Sequence, residues 1–390
     1  YLDKILDKQF LPHVKGDRRD KVYFLCYMIN KLLSILDDKK NEIDAIALVP
    51  GPNFRHVTGG QLFLMERPFL IIISKFHKPI AIVPVLEVSN FTALNFDAEI
   101  IEWQDNDGFQ NAFDKAFKIL GNNFVLGIEG QLMRAFEMQA IMKASENIII
   151  KNAHKIIGKI RLHKEEYEVQ NLSKAVEIAE NALKETLDFV KAGLTEVEIK
   201  NFLMQQLFIF GAEAIAFEPL VLAGSNSALC HGHSRSNYKI QNGDCILFDF
   251  GANINGYNSD ITRTFFLNKV SDESRNMYDV VLKANEKGRE ISKPGVSMHE
   301  LDDNVMRVLE ASNFSDFIVH KTGHGLGMDV HEDPYVMRKN HELLEKGMVI
   351  TIEPGLYREN YLGIRIEDDV LITNDGCNSL TSFDRNLRII

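Results

Sequence analysis

The segment Asp249-Phe-Gly-Ala-Asn-Ile-Asn-Gly-Tyr-Asn-Ser-Asp260 carries a carboxylate at each end and an Asn-Gly pair near its middle. Asn255-Gly256 is a strong short-range signal for a tight β-hairpin. With these two residues as the loop, Asp249 pairs with Thr262 on the returning strand. Because side chains alternate between the faces of a strand, Asp249 and Asp260 become diagonal neighbours on one face, with Cα atoms about 7–8 Å apart.

Two carboxylates on one sheet face repel each other unless a cation lies between them. A metal ion between Asp249 and Asp260 is therefore one interpretation of this spacing. Taken alone, the hairpin is more often a solvated face on which two acids occur by coincidence, and the rest of the chain decides between the two.

A glycine-rich stretch later in the chain, Thr322-Gly-His-Gly-Leu-Gly-Met-Asp-Val-His-Glu-Asp-Pro334, contains two histidines. Glycine lets the backbone approach a site closely. A single histidine is more often structural than a ligand. Because His320, His324 and His331 fall within twelve residues with glycines between them, the cluster favours a functional site.

Two β-rich segments each deliver one glutamate, Glu353 at the end of residues 348–353 and Glu367 within residues 363–372. The second segment alternates in the manner of one strand. A glutamate in an apolar strand is costly unless it is paired or binds a metal. A salt bridge to Arg365 or Arg263 is the alternative for each.

These segments together supply four carboxylates and one imidazole as candidate metal ligands. They are Asp249, Asp260, His324, Glu353 and Glu367. An oxygen-rich set with one nitrogen suits Mn²⁺, Co²⁺, Fe²⁺ or Zn²⁺ in a two-metal site that activates water for hydrolysis.

The length of 390 residues predicts two or three domains, at roughly 150 residues each. Residues 1–155 have mixed α/β character: helices over 20–36 and near 132–144, and strands over 45–49, 125–129 and 148–151. Residues 69–74 and 80–85 flank a short polar turn and predict a hairpin. A long amphipathic helix over 164–189 then marks a second domain, and we place the boundary near residue 155.

The second half contains an internal repeat. Lys191-Ala-Gly-Leu-Thr-Glu-Val-Glu-Ile199 reappears as Lys293-Pro-Gly-Val-Ser-Met-His-Glu-Leu301. In both copies a Ser or Thr lies three residues before a Glu, which is the capping-box pattern that begins a helix. The repeat predicts one domain with pseudo-two-fold symmetry; two unrelated capping boxes are the alternative.

The net charge of −11 and the lack of a basic stripe argue against nucleic-acid binding. The longest apolar runs are too short to span a bilayer, so no membrane association is expected. The four cysteines, Cys26, Cys230, Cys245 and Cys377, form no C-x-x-C pair. Their spacing argues against a disulfide framework and favours a reducing, cytoplasmic location.

Six motifs of the second half occur in a family-typical order. They are Phe248-Asp-Phe-Gly-Ala252, Tyr257-Asn-Ser-Asp-Ile-Thr-Arg-Thr264, Gly323-His-Gly-Leu-Gly327, Val330-His-Glu332, Ile352-Glu-Pro-Gly-Leu-Tyr357 and Arg365-Ile-Glu-Asp368. From about residue 160 to 390 the chain resembles the pita-bread metallopeptidases: aminopeptidase P, prolidase and methionine aminopeptidase. The resemblance implies an α+β fold, with a pseudo-two-fold pita-bread catalytic domain over 156–390. A smaller α/β domain like that of creatinase and prolidase would precede it over 1–155.

The resemblance also implies roles for individual side chains. Asp249 would bind one metal through both oxygens, Asp260 and Glu367 would bridge two metals, and His324 and Glu353 would hold the second. Glu353 would also move a proton. His231 and His320 would lie on the substrate side of the pocket, and His331 would stabilise the tetrahedral intermediate. Arg365 would position neighbouring acids or the substrate. A loop histidine without substrate contact is the alternative for His231.

The N-terminal domain separates the subfamilies, because methionine aminopeptidases usually lack one of this size. With all five ligands present, the resemblance implies hydrolysis of the Xaa-Pro bond by a metal-bridging hydroxide. It also implies two divalent ions, manganese first, a proline-containing peptide substrate and a homodimer. The chain departs from the family pattern at Cys230, in the segment from His231 to Asp249, which is one residue longer, and in residues 382–387. The departures near His231 motivate an alternative, the hydrolysis of a creatine- or ectoine-like amide; a non-catalytic binding module is a further alternative.

Overall fold

Buried aliphatic runs separated by amphipathic helices form the first of two units in this computed structural model, which describes residues 28–390. The division between the units falls between Arg161 and Leu162. The strands of the first unit are β1 (Ala45–Leu48), β2 (Leu70–Ser74), β3 (Ile80–Pro84), β4 (Glu99–Trp103), β5 (Val125–Ile128) and β6 (Ile149–Asn152). They form one mixed sheet in the order β4-β3-β2-β1-β5-β6.

Helices cover both faces of this sheet. They are α1 (described over residues 28–37), α2 (Pro52–Thr58), α3 (Val88–Ala93), α4 (Gln110–Leu120), α5 (Ala135–Ala144) and α6 (His154–Gly158). The side chains of β1 alternate between two cores, with Ala45 and Ala47 in one and Ile46 and Leu48 in the other. Because both faces of such a central strand are buried, its sequence is a continuous apolar run.

Most elements predicted for the first half are present. The hairpin expected near residues 69–85 is the antiparallel pair β2 and β3, in which Ile71 lies opposite Ala81. The predicted helix over 20–36 is confirmed from residue 28 onward, and its first eight residues lie outside the described part of the chain.

The second unit, Leu162–Ile390, contains four long helices and four small sheets. The helices are α7 (Glu166–Phe189), α8 (Glu196–Ile209), α9 (Asp272–Ile291) and α10 (Met298–Glu310). The strands are β7 (Ala214–Ile215), β8 (Leu220–Ala223), β9 (Cys245–Phe250), β10 (Ala252–Ile254), β11 (Tyr257–Asn258), β12 (Ile261–Phe266), β13 (Gly323–Gly325), β14 (Glu332–Val336), β15 (Val349–Ile352), β16 (Gly355–Arg358), β17 (Leu362–Arg365), β18 (Asp368–Ile372) and β19 (Cys377–Ser379). The sheet orders are β11-β10-β7, β12-β9-β8, β14-β13-β15-β18-β19 and β16-β17. Among the helices within residues 28–390, none combines the length and the apolar composition that a membrane-spanning helix needs.

The internal repeat corresponds to two helix pairs, α7 with α8 and α9 with α10. Thr195 caps α8 by accepting a hydrogen bond from the Glu198 amide (3.2 Å), and Ser297 caps α10 in the same way from Glu300 (3.1 Å). The preceding glycine of each copy, Gly193 or Gly295, has a left-handed backbone conformation, with φ of 93° and 87°. Each pair covers its own core: α7 and α8 pack on β8, β9 and β12, whereas α9 and α10 pack on β15 and β18. This correspondence confirms the predicted repeat.

The hairpin that carries the two aspartates has the predicted register. Asp249 lies opposite Thr262, and the turn residues Asn255 and Gly256 both have positive φ, 51° and 81°. Positive φ at both turn positions is the type I′ geometry that matches strand twist.

One strand prediction is wrong, because residues 363–372 form two strands and not one. β17 pairs with β16, and β18 pairs with β15. At the break between them, the Ile366 amide donates to the Pro354 carbonyl and the Glu367 amide to the Thr262 carbonyl. The chain changes partners at Ile366 and Glu367, and this change places Glu367 beside the hairpin.

Gly251 lies between the two aspartates, and the backbone at Ser259 packs tightly against it. A Cβ at this position would lie 1.8 Å from the Ser259 carbonyl oxygen. We expect Gly251→Ala to lower the free energy of unfolding by about 3 kcal/mol, because backbone must move to relieve the overlap. Urea denaturation measures the change. In the matched control Gly376→Ala, a Cβ meets nothing within 4 Å, so stability should change by less than about 1 kcal/mol. Equal stabilities of the two variants would contradict the prediction.

Candidate active site

The five predicted ligands reach one place from five separate parts of the second unit. Asp249 lies in β9, Asp260 directly precedes β12, and His324 is the middle residue of β13. Glu353 follows the last residue of β15, and Glu367 lies at the break between β17 and β18.

The ligand atoms of these residues form overlapping groups in which all atoms lie within 4.8 Å of one another. The groups are Asp249–Asp260–Glu367, His324–Glu353–Glu367 and Asp260–His324–His331. His324 Nε2 lies 3.4 Å from Glu353 Oε1 and 3.7 Å from Asp260 Oδ2. Asp260, His324 and Glu367 each belong to two groups, so the five side chains would hold two adjacent cations. His331 joins the third group, although the sequence assigned it to substrate and not to metal.

Glycines on both sides of His324 allow its strand to lie against its neighbours. A Cβ at Gly323 would lie 2.0 Å from the Thr351 carbonyl oxygen, and one at Gly325 would lie 2.3 Å from that of Asp333. His324 Nδ1 donates a hydrogen bond to the Gly325 carbonyl (3.1 Å). The lone pair of the imidazole is therefore on Nε2, which faces the carboxylates of Asp260 and Glu353. A backbone acceptor of this kind commonly orients a metal-binding imidazole.

The electrostatics of the cluster favour a bound cation. Burial, followed by repulsion from neighbouring carboxylates, raises the pKa values of Asp260 and Glu367 well above their ordinary range. Burial also raises the pKa of Glu353 to about 7. Burial lowers the pKa of His324 to about 3, which keeps the imidazole neutral and able to coordinate. The side chains present therefore fit divalent metal ions, as the family that the sequence resembles implies.

Arg365 connects the metal cluster with the rest of the pocket. Its guanidinium is buried and donates to Asp249 Oδ2, to Thr262 Oγ1 (2.9 Å) and to the Tyr357 hydroxyl (2.8 Å). Thr262 Oγ1 in turn donates to Glu367 Oε2 (2.6 Å). One planar side chain thus orients Asp249 directly and Glu367 through Thr262.

The alternative in which Arg365 or Arg263 forms a salt bridge with Glu353 or Glu367 is not seen, because both arginines pair with other acids. Arg365 pairs with Asp249, and the Arg263 guanidinium donates to Asp368 Oδ1 (2.8 Å). The metal interpretation of the two glutamates is the one that the geometry favours.

A pocket of about 690 Å³ opens onto the cluster. The four candidate substrate residues all line it, namely His231, His320, His331 and Arg365. His331 packs edge-on against His324, with ring centroids 4.2 Å apart. His320 Nδ1 donates to the Lys321 carbonyl (2.7 Å), so its Nε2 accepts a hydrogen bond from the Tyr357 hydroxyl (2.8 Å). The predicted residues therefore share one pocket.

Sequence reasoning missed two supporting acids that follow Glu367. Asp369 Oδ2 accepts a hydrogen bond from the Asp260 amide (3.1 Å). Asp368 accepts hydrogen bonds from the Arg263 and Arg385 guanidinium groups, at 2.8 and 2.7 Å. The run Glu367-Asp-Asp was a signal, since three consecutive acids entering a buried strand need partners on both of its faces.

Comparisons with known proteins agree with this geometry. Residues 170–374 match the model of metallopeptidase family M24, and residues 28–163 match the creatinase/prolidase N-terminal domain. A Xaa-Pro dipeptidase of Pyrococcus furiosus is 37% identical over 276 residues, which cover 70% of this chain and 78% of the relative.

Solved structures extend the likeness over almost the whole chain. A Xaa-Pro dipeptidase from Bacillus anthracis superposes with a TM-score of 0.84 at 30% identity, covering 94% of this chain and 100% of that one. A dipeptidase from Pyrococcus horikoshii OT3 gives a TM-score of 0.87 at 30% identity, with 93% and 100% coverage. The expected fold, a pita-bread domain preceded by a creatinase-like domain, is confirmed. The chain belongs to metallopeptidase family M24 and is a prolidase-like peptidase of that family.

Proposed function

We propose that this protein hydrolyses the Xaa-Pro bond of proline-containing peptides with two divalent metal ions, of which manganese is the first candidate. The convergence of four carboxylates and one imidazole at the base of one pocket carries the proposal. The Xaa-Pro dipeptidase relatives support the substrate class. Cobalt, zinc and iron are compatible with the same donor set.

Asp249, Asp260, His324, Glu353 and Glu367 would hold the two ions. When bound, such a pair would lower the pKa of water, so that hydroxide is available at neutral pH, and would polarise a substrate carbonyl. The Glu353 side chain is 16% exposed and borders the pocket, so it can take a proton from the attacking water and return it to the leaving amine.

Two histidines of the pocket are exposed to the space that a peptide substrate would occupy. His231 and His331 are both exposed, line the pocket and are candidates to donate hydrogen bonds to developing oxyanion charge. Arg365 is buried and already holds Asp249, so its role is to position that ligand and not to contact substrate.

Activity on Ala-Pro and on longer Xaa-Pro peptides, measured after loading with each of several metals, tests the proposal. We expect cleavage before proline and no cleavage after chelation. Because one oxyanion donor contributes about 10²- to 10³-fold in kcat, His331→Ala should lose activity by that factor while keeping its metal. The exposed His341, which does not line the pocket, provides the control His341→Ala. No cleavage by the wild type with any metal would refute the proposal.

We also propose a homodimer, which the family resemblance supports. Light scattering of the full chain at several concentrations tests it, and a monomer at all of them would refute it.

A further inference from the structure

The pocket wall contains a positively charged side chain, Lys321, that takes no part in the metal cluster. Its side chain lines the pocket, and Nζ lies 5.1 Å from the ring centroid of Tyr335, which lines the same pocket. Among residues 28–390, no carboxylate lies within 4.0 Å of the Lys321 ammonium and no hydrogen bond of the Tyr335 hydroxyl is present. The Lys321 ammonium and the Tyr335 hydroxyl are therefore neighbouring hydrogen-bond donors for which the described residues supply no acceptor.

The other charged groups of the pocket are accounted for. Arg365 donates to Asp249, Thr262 and Tyr357. Glu218 is paired with Lys200 at 2.5 Å. Lys321 is thus the one charged residue of the described pocket wall whose charge lacks both a metal role and an ionic partner.

Lys321 lines the same pocket as the candidate metal ligands and the exposed histidines His231 and His331. In a dipeptide, one residue of about 3.3–3.6 Å separates the scissile carbonyl from the terminal carboxylate. A group that binds this carboxylate must therefore lie in the pocket that holds the metals, as Lys321 does.

We propose that Lys321, held against the Tyr335 ring, binds the terminal carboxylate of the substrate and makes this protein prefer free dipeptides to longer peptides. The inference rests on the proposed Xaa-Pro peptidase function and adds a specificity-determining residue to it. A longer peptide has a neutral amide where the dipeptide carboxylate would be, so it gains no ionic interaction with Lys321.

Ala-Pro and Ala-prolinamide form a matched pair of substrates, because they differ only in the terminal carboxylate. In the metal-loaded protein, Lys321→Met should raise KM for Ala-Pro about 10- to 100-fold, the value of a charge-assisted hydrogen bond. Its KM for Ala-prolinamide should not change. Lys321→Arg keeps the charge and should restore most of the affinity for Ala-Pro.

The exposed Lys346 lies outside the pocket, and the control Lys346→Met should match the wild type on both substrates. Metal content equal to that of the wild type shows that Lys321→Met is folded. Equal effects of Lys321→Met on the two substrates, or no effect on either, would overturn the role of Lys321 and leave the peptidase function standing. A wild type that cleaves neither substrate would overturn the peptidase function and this inference with it.

Discussion

Replacement of Asp260 by Asn is expected to remove both metal binding and activity. The Asp260 carboxylate belongs to two of the three ligand groups, so its loss affects both cation positions. A metal pair contributes several kcal/mol to the transition state, and kcat/KM on Ala-Pro should fall by at least about 10³-fold. Elemental analysis after gel filtration measures the metal, and it should fall from about two equivalents per chain to below one.

The same substitution should have the opposite effect on the metal-free protein. Burial and the carboxylates of Glu367 and Asp249 raise the pKa of Asp260, which means that its charge is unfavourable without a cation. Asp260→Asn removes this repulsion and keeps the side-chain shape. In a chelator, its Tm should equal or exceed that of the wild type, whereas added metal should raise the Tm of the wild type alone. Metal bound at 100 times its Kd stabilises a fold by about 2.7 kcal/mol.

Asp279→Asn is the matched control, because Asp279 is exposed on α9 and belongs to no ligand group. It should bind metal and cleave Ala-Pro as the wild type does. Full metal content and activity in Asp260→Asn would contradict the assignment of Asp260 as a shared ligand.

Replacement of Arg365 by Met should give the largest loss of stability in the catalytic unit. Arg365 is 5% exposed, and its guanidinium donates to Asp249, Thr262 and Tyr357; a thioether replaces none of these bonds. Removing one partner of a buried ion pair costs about 3–5 kcal/mol, because the other charge remains buried. Urea denaturation in a chelator should show this loss, and activity with metal should fall because Asp249 and Glu367 are no longer oriented.

Two further variants separate charge from geometry. Arg365→Lys keeps the charge near Asp249 but cannot donate in three directions, so it should recover part of the stability and little of the activity. Arg358 pairs with Glu273 at 2.6 Å on the surface, with side chains 42% and 52% exposed. Arg358→Met should therefore cost less than about 1 kcal/mol. A loss for Arg365→Met as small as that for Arg358→Met would refute the central role of Arg365.

The local parts of the site were predictable because their causes are local. Asn255-Gly256 sets the turn, the turn sets the register, and the two-residue period then places Asp249 and Asp260 on one face. The two helix N-caps at Thr195 and Ser297 were readable for the same reason, since each depends on four consecutive residues.

Other features of the site depend on contacts between residues far apart in the chain. The alternating pattern of residues 363–372 indicates a strand, and nothing within it shows that the partner strand changes at Glu367. Whether Arg365 neutralises Glu367 or Asp249 depended on where β9 lies in the folded unit.

The sequence by itself predicted the five side chains that converge in the pocket, the register of the hairpin and the repeat of the helix pairs. Turn geometry, side-chain period and capping act over a few residues, so a single chain is enough to infer them. Only the tertiary structure decided the partner of Arg365, the support of Asp260 by Asp369 and the position of Lys321 beside Tyr335. These contacts arise from packing between distant strands, where burial in a low dielectric makes each pairing strong and no local pattern specifies it.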